Sequence, residues 1–320
     1  MFLKSILQKF RVVTSSAIFA WRFNMTGERK NWHWIVLAIL SLIWGTSYIL
    51  MKKGLESFSA LQIGTLRILI TFLCLLPTAI RNLHKLNRSN ILSVVIIGLL
   101  GNAIPAFLFP LAQTRISSSL TGMLNSLSPV FTLIIGILIY KRQAIKTQIA
   151  GVIIGLIGAA GLLYNGSFTI NYYGLFVVLA TILNGISSNE VSRVKGLNGL
   201  RITALSFFVI SPISIVYLMF SDFSAAAETE NLLRNLGCVA LLAIFGSAIA
   251  LALFYLLIMD TSPVFAATVT YFIPAVATLW GLADNERLTY SMLVSVIFIF
   301  AGIFAINRPD LLRKIRLKLK

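Results

Sequence analysis

Charged side chains are scarce in this chain of 320 residues, and their scarcity excludes an ordinary soluble domain. Asp, Glu, Lys and Arg make up 12% of the residues, whereas soluble globular proteins average about 25%. Hydrophobic residues make up 58%, and the mean hydropathy is +0.90. A single water-soluble core cannot bury this much apolar surface, so the composition predicts a membrane protein.

Cysteine and histidine are also rare. The two cysteines, Cys74 and Cys238, lie within apolar stretches and form neither a CxxC motif nor a metal-ligand spacing. The two histidines, His33 and His84, are too few for a histidine-built metal site. We therefore expect two inert thiols, no metal and no cofactor.

Long apolar segments occupy most of the chain. A spanning helix needs roughly 20 apolar residues, and the connections between these segments are short and carry most of the charge. An outer-membrane β-barrel would instead show alternating segments of about ten residues. We therefore predict an all-α membrane protein with ten transmembrane helices, at approximately 34–51, 60–80, 91–112, 118–140, 147–164, 172–190, 201–220, 236–258, 262–283 and 289–306.

The net charge of +17 is distributed as a membrane topology requires. If the N-terminus is inside, the inside connections and both tails carry 21 Lys and Arg residues, and the outside connections carry five. Cytoplasmic loops carry the Lys/Arg excess, so we predict that both termini are cytoplasmic. The tail at 309–320 then lies beside anionic lipid, and we expect the lipid bilayer, not nucleic acid, as its partner.

The N-terminal segment 1–30 precedes the first predicted helix, and we expect it to be cytoplasmic. Residues 1–24 are basic and moderately apolar, too short to span, and without a convincing signal-peptide cleavage site. A more ordinary start follows at Met25. Two interpretations stay open, an upstream start assignment and a helix on the cytoplasmic membrane surface, and the inside excess survives without these residues.

The sequence contains an internal repeat. GNAIPAFLF (101–109) and GSAIALALF (246–254) share five residues at identical places, 145 residues apart. Further residues return at the same spacing: Ser117, Pro129 and Gly136 as Ser262, Pro274 and Gly281. We therefore predict two repeats of five helices each, over 31–165 and 171–308.

An odd number of helices in each repeat implies that the second repeat enters the membrane from the opposite side. The charges of two corresponding turns agree with this inversion. The turn KRQAIK (141–146) is basic, as on the inside, and the turn DNERLT (284–289) is acidic on balance, as on the outside. Inverted repeats around an in-plane pseudo-two-fold axis are typical of secondary transporters, because one fold used in two orientations can open to either side with similar energy. Duplication also produces channels and structural bundles, but the pattern favours a carrier.

Polar residues align on single faces of several segments. In the fourth, Ser118, Thr121, Asn125, Ser128 and Thr132 recur at spacings of three and four, which is one helical face. Polar side chains are costly in hydrocarbon and face the bundle interior or a water-filled cavity; for a single Ser or Thr, hydrogen bonding between helices is the alternative. The residues predicted to line a substrate cavity are Trp44, Tyr48, Lys52, Arg67, Asn102, Thr121, Asn125, Asn184, Tyr255, Tyr271 and Trp280.

Arg67 is the most costly of these residues. It lies roughly 10 Å into the second segment, and an arginine at the centre of a spanning helix costs about 2.5–3.5 kcal/mol. Two interpretations stay open. The side chain snorkels to the outer surface along its long stem, or it faces the cavity and, with Lys52, attracts a carboxylate or phosphate.

Carboxylates are missing from the middle of the segments. Of the ten Asp and Glu residues, only Glu190, Asp260 and Asp284 reach segment ends. The buried carboxylate of a proton relay is therefore absent, which leaves coupling through a segment-end acid, passive transport or exchange. No paired acids, Ser–His–Asp set or Gly-rich phosphate loop is visible, so we expect no enzyme activity.

Proline and glycine predict bends and close contacts. Gly151 and Gly155 form a GxxxG motif that Gly158 extends, which permits close helix contact, within the bundle rather than between protomers. Five prolines fall within apolar segments and predict kinks: Pro105, Pro110, Pro129, Pro212 and Pro274.

Four stretches together resemble the EamA family of the drug/metabolite transporter superfamily: WGTSYILMKKGL (44–55), LRILITFLCLLP (66–77), SPVF (128–131) and PAVATLWGLADNERLT (274–289). The resemblance implies a bacterial inner-membrane carrier, often an exporter of amino acids or related metabolites, with its substrate in a central cavity between the repeats. Trp44, Tyr48, Lys52 and Arg67 match the family's first two motifs. One departure is Arg142, which stands where the family has a glutamate in the first repeat.

These observations predict an alternating-access carrier for a small polar or amphipathic metabolite, working outward. A nucleotide-sugar or phosphate-ester carrier of the same superfamily is the first alternative, and it requires more cavity cations than Arg67 and Lys52. A membrane enzyme is the second, and it requires acid and base groups that converge in one cavity. A homodimer is left open.

Overall fold

The computed structural model describes residues 29–163 and 171–307, and all regular structure within these ranges is helical. Nine of these helices are long and apolar enough to cross a membrane, and a tenth apolar helix, Tyr290–Ile306, is shorter. We number the ten as α1 Arg29–Gly54, α2 Ala60–Asn82, α3 Ile91–Gln113, α4 Ser118–Leu138, α5 Lys146–Leu163, α6 Tyr172–Val191, α7 Gly199–Met219, α8 Leu232–Asp260, α9 Pro263–Ala283 and α10 Tyr290–Asn307. The predicted ten-helix membrane fold is confirmed; residues 1–28 and 308–320 lie outside the described residues, so the predictions for them stay predictions.

The repeated serines have the same structural role in both repeats. The backbone N–H of Leu120 donates to Ser117 Oγ at the start of α4, at 3.1 Å. The backbone N–H of Phe265 donates to Ser262 Oγ at the start of α9, also at 3.1 Å. The first N–H groups of a helix have no partner within it, so a serine before each helix supplies one.

Helices α4 and α9 are broken at repeat-related positions. The α-helical part of α4 ends at Asn125 and resumes at Ser128. In α9, a 3₁₀ turn over Thr268–Tyr271 separates two α-helical parts. Pro129 and Pro274 are the second residues of the resumed helices, where the missing N–H needs no partner. The predicted kinks at these prolines are therefore restarts of the helix.

The repeated nonapeptides, GNAIPAFLF and GSAIALALF, coincide with a second shared irregularity of the helices. Helix α3 is a π-helix over Ile97–Ala103, and α8 is one over Leu242–Ile249. The two π segments begin 145 residues apart and contain the first residues of the two nonapeptides. Since π segments are rare and concentrate at functional sites, their repetition points to the region beside them.

Helices α5 and α10 pack closely and run antiparallel. A β-carbon on Gly151 would lie 2.5 Å from the Gly302 carbonyl oxygen, and one on Gly158 would lie 2.7 Å from the Ser295 carbonyl oxygen. The glycine motif therefore packs within the bundle, as predicted. Because Gly151 and Gly158 correspond to Ser295 and Gly302 at a spacing of 144, equivalent helices run in opposite directions, which is what inverted repeats require.

Polar side chains lie along single helix faces in the interior of the bundle, and the exterior is apolar. The predicted stripe of α4 is buried throughout, with Ser118 and Thr121 fully inaccessible. Large apolar side chains such as Leu42, Leu73 and Ile153 are more than half exposed. This distribution suits a bundle whose solvent is lipid, because polar groups avoid hydrocarbon.

Candidate functional site

A cavity of about 110 Å³ lies in the middle of the bundle, lined by α1–α4 of the first repeat and α6–α9 of the second. Neither α5 nor α10 contributes a described lining residue. The volume is large enough for several water molecules. Seven of the eleven predicted cavity residues line it: Trp44, Tyr48, Arg67, Asn102, Asn125, Asn184 and Tyr255.

The other four predicted residues lie elsewhere. Lys52 forms ion pairs with Asp284 and Glu286 at one end of the bundle, although its neighbour Met51 lines the cavity. Thr121 is buried and donates to the Ser117 carbonyl oxygen at 2.8 Å. Tyr271 packs edge-to-face against Phe300, with ring centroids 6.2 Å apart. Trp280 is 44% exposed and donates to Thr46 Oγ1 at 3.0 Å.

Two repeat-related hydrogen bonds join neighbouring helices of the cavity wall. Arg67 Nε on α2 donates to Ser247 Oγ on α8 at 2.6 Å. Asn102 Nδ2 on α3 donates to Ser206 Oγ on α7 at 2.9 Å. Asn102 and Ser247 are equivalent at a spacing of 145, and Arg67 and Ser206 are equivalent at the spacing of 139 that separates the starts of α2 and α7. The same contact is therefore made twice, once with a guanidinium and once with neutral groups.

Aromatic residues close the wall around these bonds. Tyr255 is fully buried and its hydroxyl donates to Asn102 Oδ1 at 2.9 Å. The Trp44 indole Nε1 donates to the Gly246 carbonyl oxygen at 2.9 Å, within the π segment of α8. Its ring packs edge-to-face on Phe254, with centroids 5.0 Å apart. The irregular backbone of α8 is thus held against α1 beside the cavity.

The break in α4 places polar groups in the cavity. Ser128 Oγ donates to the carbonyl oxygen of Asn125 at 2.8 Å and contacts Asn125 Oδ1 at 3.3 Å. Both residues line the cavity, as does Thr270 in the 3₁₀ turn of α9. Discontinuous helices that meet at the midplane are typical of transporter binding sites, because their backbone is irregular only where it borders a cavity.

Sequence reasoning missed several lining residues, among them Ser47, Ser187 and Ser247. A lone serine within an apolar segment carries little signal, since hydrogen bonding between helices is its usual role. The repeat could have identified Ser247, because it is the counterpart of the predicted Asn102. Ser47 and Ser187 are equivalent to each other at a spacing of 140, which is also the spacing between the predicted Trp44 and Asn184, but neither serine was predicted.

At one end of the bundle, which we call the Glu286 end, a buried carboxylate links the two repeats. Glu286 Oε1 accepts from the Ser118 backbone N–H at 2.9 Å and from Ser118 Oγ at 2.7 Å. Its Oε2 accepts from the Ser119 backbone N–H at 3.0 Å and from Ser119 Oγ at 2.6 Å. The carboxylate of the second repeat thus caps α4 of the first, where the helix dipole favours negative charge.

Two lysines at the end of α1 complete this network. Lys52 Nζ lies 2.8 Å from Glu286 Oε1 and 2.7 Å from Asp284 Oδ2. Lys53 Nζ lies 2.9 Å from Asp284 Oδ1 and 2.8 Å from Glu56 Oε1. The network joins α1, α4 and the turn after α9, so it fastens the two repeats to each other.

The electrostatics of this end favour the charged carboxylates. Burial would raise the pKa of Glu286, but hydrogen bonds from Lys52, Ser119 and Ser118 outweigh it and lower that pKa to about 2. Hydrogen bonds from Lys52 and Lys53 lower the pKa of Asp284. Both groups are therefore charged at neutral pH.

At the opposite end, which we call the Glu190 end, hydroxyl groups of the first repeat bind a carboxylate of the second. Ser93 Oγ on α3 donates to Glu190 Oε1 at 2.5 Å, and the Tyr140 hydroxyl donates to Glu190 Oε2 at 2.6 Å. Arg193 Nη1 is 4.0 Å from Glu190, and its guanidinium lies 5.3 Å from the centre of the Tyr140 ring. Burial and the bond to Glu190 raise the pKa of Tyr140, so it remains a donor.

The family comparison covers nearly all of the described chain. The EamA-like transporter family matches residues 31–164 and 171–308, one match for each half. The uncharacterized inner membrane transporter YedA of Escherichia coli K12 is 28% identical over 250 residues, which cover 77% of this chain and 80% of that protein. Protein PecM of Dickeya dadantii is 24% identical over 274 residues, 83% of this chain and 89% of that protein.

More distant comparisons agree with the fold. An uncharacterized transporter of Archaeoglobus fulgidus is 22% identical over 278 residues, covering 86% of this chain and 98% of that protein. A protein of known crystal structure superposes with a TM-score of 0.58 at 15% identity, covering 88% of this chain and 97% of that one. At that identity the structural match concerns the fold alone.

Proposed function

The chain is a membrane transporter that belongs to the EamA-like transporter family, and from this premise we propose that it carries a small polar or amphipathic metabolite outward by alternating access. The observation that carries the proposal is the cavity between two inverted repeats that contact each other at both ends through polar groups. A carrier needs one access path closed while the other opens, and inverted repeats supply two equivalent paths.

The wall chemistry supports a substrate with both polar and apolar parts. Amide and hydroxyl groups of Asn102, Asn125 and Asn184 and of several serines line the cavity beside aromatic rings. Such a mixture, mostly apolar with a few placed polar groups, is typical of small-molecule sites. Within this class, amino acids and related metabolites are the candidates that the family resemblance implies.

For location, we propose a bacterial inner membrane, with the Glu190 end and both termini in the cytoplasm. The relative YedA is named an inner membrane transporter. The described ends Arg29 of α1 and Asn307 of α10 lie at the Glu190 end. In the sequence, the connections and tails predicted for this side carry 21 of the 27 Lys and Arg residues. Fusions of a cytoplasm-active and of a periplasm-active reporter after residue 320 test this orientation. We expect activity of the first alone, and activity of the second alone would contradict it.

The alternatives receive less support from the described cavity. A carrier of phosphate esters or nucleotide sugars requires several cations, whereas Arg67 is the one cationic residue in the described lining, and Lys52 is engaged by Asp284 and Glu286. An enzyme requires convergent acid and base groups, and the described lining holds no carboxylate or imidazole. The geometry favours the carrier.

Transport by the purified protein tests the proposal. The protein is reconstituted in liposomes preloaded with unlabelled metabolites, and the exchange of labelled ones is measured against concentration. We expect saturable exchange for at least one compound, reduced at least tenfold by Asn125→Ala, in the cavity, and unchanged by Asn82→Ala, at the end of α2 away from the cavity. Flux that never saturates would indicate a channel and contradict the proposal.

A further inference from the structure

The cavity contains a single charge among its described lining residues. Arg67 is cationic, and the remaining ionisable lining residues, Tyr48 and Tyr255, are neutral phenols at physiological pH. The described lining contains no aspartate, glutamate, lysine or histidine. The cavity therefore has a net charge of about +1 before any ligand enters.

No carboxylate of the described residues neutralises Arg67. Its side chain donates one hydrogen bond, from Nε to the neutral Ser247, which leaves the two Nη groups without a protein acceptor in the described ranges. The buried carboxylates are occupied at the two ends, Glu286 by Lys52 and serines, and Glu190 by Ser93 and Tyr140. The snorkelling interpretation is not needed to explain the position of Arg67, since the residue lines the cavity.

A lone cation at this depth is costly, and a ligand of opposite charge offsets that cost. A guanidinium held through Nε presents its Nη groups for paired hydrogen bonds to a carboxylate, which are strong and directional in a medium of low dielectric. Resting on the carrier function proposed above, we propose that the cavity binds a small monoanion, a carboxylate with an apolar body, and that Arg67 holds its charged end.

The charge count separates the monocarboxylate from other ligands. A dicarboxylate or phosphate monoester would bring a second negative charge with no described cation to meet it. A cation would be repelled by Arg67. The ammonium group of a zwitterionic amino acid would find no carboxylate in the described lining, so it would remain poorly compensated.

Aromatic rings in the cavity wall provide an apolar surface for the apolar body of the ligand. Phe109 and Tyr48 line the cavity with ring centroids 6.0 Å apart, and Trp44 and Phe254 form a second edge-to-face pair. Since the neutral Ser206 is the repeat counterpart of Arg67, the charged end of the ligand binds on one side of the pseudo-two-fold axis only. The geometry thus fits an aliphatic or aromatic carboxylate in one orientation.

Binding by matched compounds tests the proposal. The unfolding temperature of the full-length protein in lipid nanodiscs is measured with millimolar acetate, butyrate or phenylacetate. The neutral amide of each acid is measured in parallel. Succinate, butylamine and 4-aminobutyrate are measured in the same way. We expect butyrate and phenylacetate to raise the unfolding temperature and to compete with each other, with affinity at least tenfold above that of their amides, succinate and the two amines. Equal effects of acid and amide, or no effect of any monocarboxylate, would overturn the proposal.

Variants separate the charge of Arg67 from its structural hydrogen bond. Arg67→Gln should abolish the preference for acid over amide, whereas Arg67→Lys should retain it in part. Ser206→Ala breaks the repeat-related neutral bond and should leave the preference intact. If Arg67→Gln fails to fold, the result for Arg67→Lys decides, since loss of the preference with the charge retained and the fold intact would contradict a role for charge.

Vesicle transport distinguishes a failure of this inference from a failure of the carrier function. Net movement of a monoanion without a counter-substrate transfers one negative charge, so in that mode a potential of 100 mV, negative inside, drives roughly 50-fold accumulation outside. Saturable exchange of a neutral or zwitterionic compound, without exchange or binding of monocarboxylates, would preserve the carrier and reject the monoanion. Arg67-dependent binding of monocarboxylates with no exchange of any compound would preserve the site and reject the carrier.

Discussion

The turns after α4 and after α9 have the same backbone and opposite charge. Lys141 and Asn285, 144 residues apart, both have positive φ, at 52° and 60°. Each is followed by a residue whose N–H donates to a repeat-related glycine, Arg142 to the Gly136 carbonyl at 2.9 Å and Glu286 to the Gly281 carbonyl at 2.8 Å. The duplicated backbone has been kept while the side chains have adapted to opposite sides of the membrane.

The difference in side chains makes the two ends unequal. Glu286 is 4% exposed and receives serine and lysine donors, so the Glu286 end is fastened by charge-assisted bonds. The Arg142 side chain makes one hydrogen bond, from Nη2 to Ser192 Oγ at 3.1 Å, and the nearby carboxylate of Glu190 receives two hydroxyl donors. Opening at the Glu190 end should therefore cost less than opening at the Glu286 end.

Glu286→Gln should have the largest effect. A glutamine amide nitrogen faces donors on Ser119 or Ser118 and cannot replace a carboxylate oxygen, so we expect a loss of about 2–3 kcal/mol in unfolding free energy. Thermal unfolding in nanodiscs measures it, with Glu228→Gln, an exposed acid in the connection between α7 and α8, as the control. A loss no greater than that of the control would contradict the inequality of the ends.

Acid should remove the same contribution. Because folding lowers the pKa of Glu286 from 4.5 to about 2, its stabilisation is complete above pH 4.5 and is lost as pH falls toward 2. The difference in unfolding temperature between wild type and Glu286→Gln should therefore be constant from pH 7 to pH 5 and shrink at lower pH. A difference that stays constant down to pH 3 would show that ionisation of Glu286 is not responsible.

Tyr140→Phe should have a smaller effect, at the other end. It removes one of the two hydroxyl donors to Glu190, at a cost of about 1 kcal/mol. It should also make the cavity more reachable from the Glu190 end, which a thiol reagent applied to Ser188→Cys in the cavity wall can measure. Faster labelling in Tyr140→Phe than in the Tyr140 parent is expected, and slower labelling would contradict the role of this bond as a closure.

Arg142→Gln should have the smallest effect. Its single bond to Ser192 lies in an accessible turn, and burial lowers the pKa of Arg142 without any carboxylate at hydrogen-bond distance. We expect a change of about 0.5 kcal/mol or less in unfolding free energy. A loss as large as that of Glu286→Gln would show that the two turns fasten the bundle equally.

The sequence was sufficient to predict the ten helices and the inverted repeats. Apolar length specifies a spanning helix almost independently of tertiary context, and the repeat spacing located Ser117 and Ser262, which are both helix caps. The breaks in α4 and α9 were anticipated only as kinks, because a proline in the sequence does not show whether a helix bends or restarts there.

The site was less predictable than the fold. Periodicity identifies a polar face but not its depth, so Lys52 and Thr121 were predicted for a cavity that they do not line. The partners of Glu286 could not be foreseen, since Ser118 and Ser119 are distant in sequence and meet it only through the packing of α4 on α9. The glutamate is absent from the equivalent turn, so the repeat gave no second example.

Labelling of two repeat-related positions from each side of the membrane tests the inverted architecture most directly. Gln143 and Arg287 are both exposed and lie 144 residues apart, and each is changed to cysteine after Cys74 and Cys238 are replaced by alanine. A membrane-impermeant maleimide added to intact cells should label Arg287→Cys, and it should label Gln143→Cys only after the membrane is permeabilised. Labelling of both positions from the same side would contradict the inversion on which this account of the cavity depends.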